Sequence, residues 1–170
     1  AVVTVQPGPA NHFYVYPIAD QIAGQDFPLQ LEARDQYDNM ATGYNGTAVL
    51  SDSTGTLSGG PATFSDGTWS GPVNIKLATS GVYITVTDSP TTGQSNAFTV
   101  APAILDYFTI SDCPSNTTAG DTFDSVNVTA YDEYNNVKTN YTGQVYLTSD
   151  DPLATLPYPS DFTGAENGTK

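Results

Sequence analysis

Apolar residues recur at every second position of this chain, in short runs separated by turn formers. "PLQLEA" sets Leu29, Leu31 and Ala33 on one side and Gln30 and Glu32 on the other. "GVYITVTD" does the same with Val82, Ile84 and Val86 against Tyr83 and Thr85, and "NAFTVA" with Phe98 and Val100. "HFYVYPI", "GTAVLS", "PATFS" and "GPVNIKLA" complete a set of predicted strands, the last with Val73, Ile75 and Leu77 facing inward and Lys76 outward. A period of two is the signature of a half-buried strand. "STGTLSGG", "SDGTWSG" and "DSPTTGQS" read as the turns between runs, because Gly, Pro, Ser and Asp supply the backbone angles that reversals need. No window carries a helical period. Short strands at this spacing predict an all-β fold of two-sheet sandwiches.

The pattern is written twice. Phe13 matches Phe108, Ala23-Gly24 matches Ala119-Gly120, and Phe27 matches Phe123. Leu29, Leu31, Ala33 and Asp35 then match Val126, Val128, Ala130 and Asp132. "ARDQYDNMATGYNG" (residues 33–46) repeats as "AYDEYNNVKTNYTG" (residues 130–143), and Phe64 matches Phe162. A spacing of 95 to 98 residues between matched positions is the size of one seven-stranded sandwich. The repeated phrase falls between the second and third predicted strands. Asp35 and Asp132 are placed to accept from backbone N–H groups two residues on, and Asp38 and Asn135 to take the left-handed turn conformation. The tyrosines are predicted to cover the corner.

With "AYDEYNNVKTNYTGQVYLTSDDPLATLP" and "DFTGAENGTK", the chain resembles the immunoglobulin-like repeats of bacterial and archaeal cell-surface proteins, the invasin/intimin-like and filamin-like repeat group. The resemblance covers nearly the whole chain, and the first copy is the more diverged. Both copies carry Asp38 or Asn135 where that group usually has Gly. The resemblance implies tandem immunoglobulin-like β-sandwich modules in a secreted or surface-anchored stalk, adhesin, filament or surface-layer component.

Composition narrows the partners. The chain holds only four Lys and Arg against eighteen Asp and Glu, a net charge of −14. A phosphate-binding face needs clustered cations, so nucleic acid and direct attraction to anionic lipid are both disfavoured. No apolar run reaches the roughly 18 residues of a membrane span. The single Cys113 cannot form an intrachain disulfide.

Candidate chemistry is sparse. One His (His12) and one Cys about a hundred residues apart make a nucleophile–base pair improbable, and no nucleophile-elbow motif occurs, so no enzyme activity is expected. Lys76 and Lys138 are not placed for a buried Lys–Asn crosslink. Trp69 and the tyrosines read as sandwich packing rather than a sugar-stacking platform. Ca²⁺ takes six to eight oxygens; the candidate ligands are Asp35, Asp38 and Asn39 with their counterparts Asp132, Glu133, Asn135 and Asn136, and calcium is the one candidate cofactor. Five N-x-S/T sequons (Asn45, Asn116, Asn127, Asn140 and Asn167) are acceptor sites if the host glycosylates.

The expected organisation is a strand-like segment over residues 1–10, a first module over 11–101, and a second over 102–170 that lacks counterparts of its last strands. "AVVTVQPGP" aligns with "NAFTVAPA", so residues 1–10 read as the final strand of a preceding module or as a donated assembly strand carrying Val2, Val3 and Val5. The function expected is an extracellular spacer or assembly segment whose partners are copies of itself or neighbouring modules. The alternatives are an adhesin module binding a glycan or host protein, and an accessory module of a secreted polysaccharide-active enzyme.

Overall fold

A computed structural model of the chain describes residues 2–3, 5–122, 126–157 and 159–170. Phe123, matched above to Phe27, lies outside the described residues. The chain divides into two compact units, Ala1–Ala101 and Pro102–Lys170. Both are all-β, and no helix occurs among the described residues.

Unit 1 contains β1 (His12–Val15), β2 (Gln21–Ile22), β3 (Phe27–Arg34), β4 (Thr47–Asp52), β5 (Ala62–Thr63), β6 (Thr68–Val73), β7 (Thr79–Val82), β8 (Ile84–Asp88), β9 (Thr91–Gln94) and β10 (Phe98–Ala101). One sheet runs in the order β5-β4-β8-β9-β1-β3-β6, the other β2-β10-β7. This is an immunoglobulin-like β-sandwich. β3 follows its alternation: Phe27, Leu29, Leu31 and Ala33 are buried while Pro28 and Gln30 face out. They meet Val82, Ile84, Val86, Phe98 and Val100 in a common core. Each such large side chain contributes about 1.5–3 kcal/mol when fully buried, so the repeated apolar rows, rather than local propensity, hold the sheets together.

Four local expectations are corrected. "TTGQ" is strand β9, not a turn, bonded to β8 on one side and in parallel to β1 on the other. It has no apolar residue because Gly93 passes against Phe13 so closely that an added Cβ would lie 2.1 Å from the Phe13 carbonyl oxygen. "TWSG" belongs to β6, which pairs along β3 from Phe27↔Val73 to Glu32↔Thr68; the turn is confined to Asp66-Gly67. Leu77 lies beyond β6 and is exposed, because that strand ends at Val73 and the inward alternation stops at the buried Ile75. Finally, "GVYITVTD" is not one strand. It changes sheets at Tyr83, with Val82 opposite Phe98 and Ile84 opposite Asp52.

Unit 2 contains β11 (Leu105–Ser111), β12 (Asn127–Asp132), β13 (Thr142–Val145) and β14 (Ser160–Thr163), paired β11-β12 and β13-β14. Its details copy those of unit 1. Ala33 N–H donates to Gly67 O at 2.8 Å and Ala130 N–H to Gly168 O at 2.8 Å. Asp66 and Asn167 both have φ of 50°. Phe108 and Ile110 on β11 are exposed where Phe13 and Val15 on β1 are buried. Among the described residues β11 pairs only with β12, and nothing takes the place that β9 holds beside β1.

Candidate functional site

The repeated phrase forms one corner built twice. In unit 1, β3 ends at Arg34 and delivers Asp35 into the interior, where it is 2% exposed. Its Oδ1 accepts from the N–H groups of Tyr37 (2.8 Å) and Asn39 (3.0 Å), and its Oδ2 from the Asn39 side-chain amide (3.2 Å). The backbone closes around it with Asp35 N–H on Asn39 O at 2.9 Å and Asp38 N–H on Asp35 O at 3.1 Å. Asp38 takes a φ of 64° to make the reversal, a conformation Asp and Asn tolerate better than other residues with a Cβ. In unit 2, Asp132 is fully buried and accepts from Tyr134 N–H (2.9 Å), Asn136 N–H (2.8 Å) and the Asn136 amide (2.9 Å). Asn135 takes a φ of 65°.

Each aspartate also has a distant partner. Asp35 Oδ2 accepts from Gly8 N–H at 2.9 Å, and Asp132 Oδ2 from Ala103 N–H at 2.8 Å. Gly8 and Ala103 are matched positions, each following a proline in "QPGP" and "APAI". Both bonds therefore seize the segment that enters their own unit. A carboxylate taking several N–H bonds is stabilised in its charged form. The Gly8 N–H, with those of Tyr37 and Asn39, holds Asp35 down at about 2. Burial pushes Asp132 upward, but the bonds from Asn136, Ala103 and Tyr134 outweigh it and leave its pKa lowered. In unit 2 a cation completes the grip. Lys138 Nζ donates to Pro102 O at 3.2 Å, so the Pro102–Ala103 peptide is held at both its oxygen and its N–H.

An aromatic wedge stands beside each corner. Tyr44 lies edge-on to Phe13 and Phe64, with ring centroids 5.5 and 5.1 Å away. Tyr141 does the same between Phe108 and Phe162, at 5.3 and 5.2 Å. The hydroxyl of each tyrosine lies over the glycine two residues on. A Cβ at Gly46 would meet the Tyr44 oxygen at 2.6 Å, and one at Gly143 the Tyr141 oxygen at 2.5 Å. Tyr44 donates to Asp88 Oδ2 at 2.5 Å, and burial together with that carboxylate pushes its pKa upward. Tyr44 and Tyr141 are the tyrosines that cover the corner. Tyr37 is exposed.

The other sequence candidates disperse. The two buried carboxylates are ringed by N–H donors, the opposite of an oxygen cage for Ca²⁺. Asp38 points outward to His12 Nε2 at 3.0 Å, Glu133 is exposed, and Asn135 Oδ1 accepts from the Tyr107 hydroxyl at 2.7 Å. Among the described residues no three His, Cys, Asp or Glu side chains converge to hold a metal ion. All five sequon asparagines are exposed. The Asn45 amide donates to Gly43 O at 3.3 Å and its oxygen accepts from Asp66 N–H at 3.0 Å, while Asn127 donates to Asp112 at 2.5 Å. Val2, Val3 and Val5 are exposed and lie outside the strands. Trp69 faces the inner side opposite Leu31 and folds over Gly71.

Sequence reasoning missed the outer face of β1 and β3. Here Arg34 pairs with Glu32 at 2.9 Å, its guanidinium carbon lies 4.0 Å above the Tyr14 ring, and Tyr14 meets Tyr16 edge-on at 5.2 Å. The Tyr16 hydroxyl donates to Glu32. The alternation that put Phe13 and Val15 inward was the signal that put these tyrosines outward.

No family model matches the chain, and no curated protein matches it. Among solved structures it is similar to FdeC, an Escherichia coli adhesin, at 22% identity over 84% of this chain and 49% of that one, with a TM-score of 0.52. It also matches surface layer protein SbsC, at 14% identity for domains 4–9 (85% of this chain, 26% of that one, TM-score 0.44) and 15% for domains 1–6 (88% and 21%, TM-score 0.42). The chain spans about half the FdeC structure and about a quarter or less of each SbsC structure. The likeness to FdeC is one of fold.

Proposed function

We propose that the chain is a tandem-repeat segment of an extracellular, cell-surface protein, and that its role is structural: a spacer and assembly element of a filament, stalk or surface layer that performs no chemistry. The observation that carries this reading is the twice-built aspartate corner. Each unit spends a buried carboxylate on the segment by which the chain enters it. Ala101 is bonded into unit 1 through Ala23, and Ala103 into unit 2 through Asp132, with only Pro102 between them. Fixing the entering segment of each unit to its own corner suits a module that is repeated along a chain. The acidic, lysine-poor surface suits an exposed coat that stays soluble. Immuno-electron microscopy of native cells tests it: antibody to this chain should decorate continuous filaments or an ordered sheet, and a label confined to the cytoplasm refutes it.

A second reading has its own observation. The outward Tyr14–Tyr16–Arg34 face offers aromatic surface beside hydrogen-bonding groups, as a glycan-binding adhesin would need, and FdeC is an adhesin. Saturable binding on a glycan array that is lost in Tyr14→Ala would favour it over a spacer role. Glycan attachment at the five exposed sequon asparagines is part of the structural reading and is testable by glycopeptide mass spectrometry of secreted protein.

A further inference from the structure

Among the described residues, unit 2 has no strand where unit 1 has β10, yet the pattern of β10 stands twice in the chain. In unit 1, β10 lies between β2 and β7 and buries Phe98 and Val100 in the core. The chain then runs through Pro102 to Ala103, the residue held by Asp132. "VTVQPG" (residues 3–8) aligns without a gap with "FTVAPA" (residues 98–103), down to Gly8 on Asp35. Val3 and Val5 thus take the places of Phe98 and Val100. Both lie outside the strands, 83% and 87% exposed against 5% and 2% for their counterparts.

Unit 2 carries the complementary gap. In unit 1, β10 is the partner that makes β2 a strand: Val100 lies opposite Gln21, Ala101 opposite Ile22, and Ala23 N–H donates to Ala101 O at 2.9 Å. The matching Thr117 and Thr118 precede the same turn, where Gly120 has a φ of 91° and Gly24 of 71°. They are exposed and belong to no strand. Phe108 and Ile110 on the apolar face of β11 are exposed as well.

We propose that residues 2–6 of one copy add as a strand to unit 2 of a second copy, parallel to Thr117–Thr118, with Val3 and Val5 turned toward the apolar face that Phe108 and Ile110 leave open. The register follows from unit 1: Val5 opposite Thr117, Gln6 opposite Thr118, and Ala119 N–H donating to Gln6 O. Main-chain bonds give such an added strand its affinity, and the alternate side chains give it specificity. Donor and acceptor are different surfaces, so the contact propagates head to tail. It rests on the assembly role proposed above and names its partner.

The test is light scattering of the 170-residue chain during size-exclusion chromatography. The chain should form oligomers that grow with concentration, and Val5→Asp should leave monomers. Val2→Asp adds the same charge at the place of the exposed Ala97 and should leave the oligomers intact. Ile110→Asp should also be monomeric, and mixed with Val5→Asp it should give a 1:1 pair and nothing larger, because one variant keeps the donor and the other the acceptor. Val5 and Ile110 are both exposed in a single copy, so neither change should unfold it. Should Ile110→Asp fold poorly, hydrogen exchange at Ala119 decides: the amide should be protected in the wild-type oligomer and unprotected in Val5→Asp. A wild-type chain that stays monomeric, equal loss in Val2→Asp and Val5→Asp, or an unprotected Ala119 overturns the proposal. A monomeric chain whose antibody still decorates filaments or a sheet on cells overturns strand donation alone and leaves the spacer role standing.

Discussion

Replacing Asp132 by alanine removes one acceptor from four donors at once. Tyr134 N–H belongs to a turn flanked by the exposed Glu133 and Asn135, so it has a route to water. The N–H groups of Ala103 and Asn136 do not, because those residues are 7% and 6% exposed. A buried donor left without a partner costs about 1–3 kcal/mol. Two such groups, at about 1.5 kcal/mol each, give about 3 kcal/mol. Burial of Asp132 itself works the other way, since removing a desolvated charge recovers part of its cost, which keeps the expected loss in the lower half of the range of about 2–6 kcal/mol for two groups. The assay is hydrogen exchange at the Ala103 amide. Its protection in the intact protein comes from Asp132, and a loss of about 3 kcal/mol speeds exchange by roughly 100-fold. Asp132→Asn separates charge from shape: it keeps one acceptor oxygen but presents an NH₂ group to the others, so its effect should fall between wild type and alanine. If Ala103 exchanges at the same rate in all three proteins, the carboxylate does not hold the entering segment and the reasoning fails.

The remaining predictions are shorter. Asp35 is held at about 2 against an ordinary value of 3.8, so its contribution to stability is complete above the unfolded value and is lost as the pH falls from about 4 to about 2; acid melts of Asp35→Asn should lose this dependence. Gly46→Ala should cost about 1–3 kcal/mol by driving the Tyr44 ring out of its place between Phe13 and Phe64, read by denaturant unfolding; an unchanged midpoint would mean the ring is free to move. Leu31→Ala, at a site 1% exposed, should cost about 2–5 kcal/mol by the same assay. Chelator should leave the melting temperature unchanged, because the buried carboxylates already have N–H partners; a fall reversed by added Ca²⁺ would contradict that.

What could be read from the sequence follows from where the information lies. Leu29, Leu31 and Ala33 declared β3 because burial on one face leaves a period of two. Asp35 was legible as a turn builder because its partners Tyr37 and Asn39 are its neighbours. Its bond to Gly8 was not, since a main-chain N–H has no residue-type signature at a separation of 27 positions. The shared Pro at positions 7 and 102 was the available clue. β9 was hidden for a different reason: a strand flanked on both sides and pressed against Phe13 needs small polar residues and glycine, the same letters that spell a turn. Trp69 lost its strand to neighbouring glycine and proline, which β6 tolerates because its pairing with β3 fixes them in place.

The bond from each aspartate to the peptide before β1 or β11 also says where one copy of the repeat ends in heredity. Cut at the first residue of β1, a duplicated stretch of gene would yield a corner whose aspartate has lost one of its N–H donors. Cut before the proline at position 7 or 102, it would carry the bond with it. The unit that can be copied and passed on intact therefore begins in what looks like connecting chain, several residues ahead of the first strand.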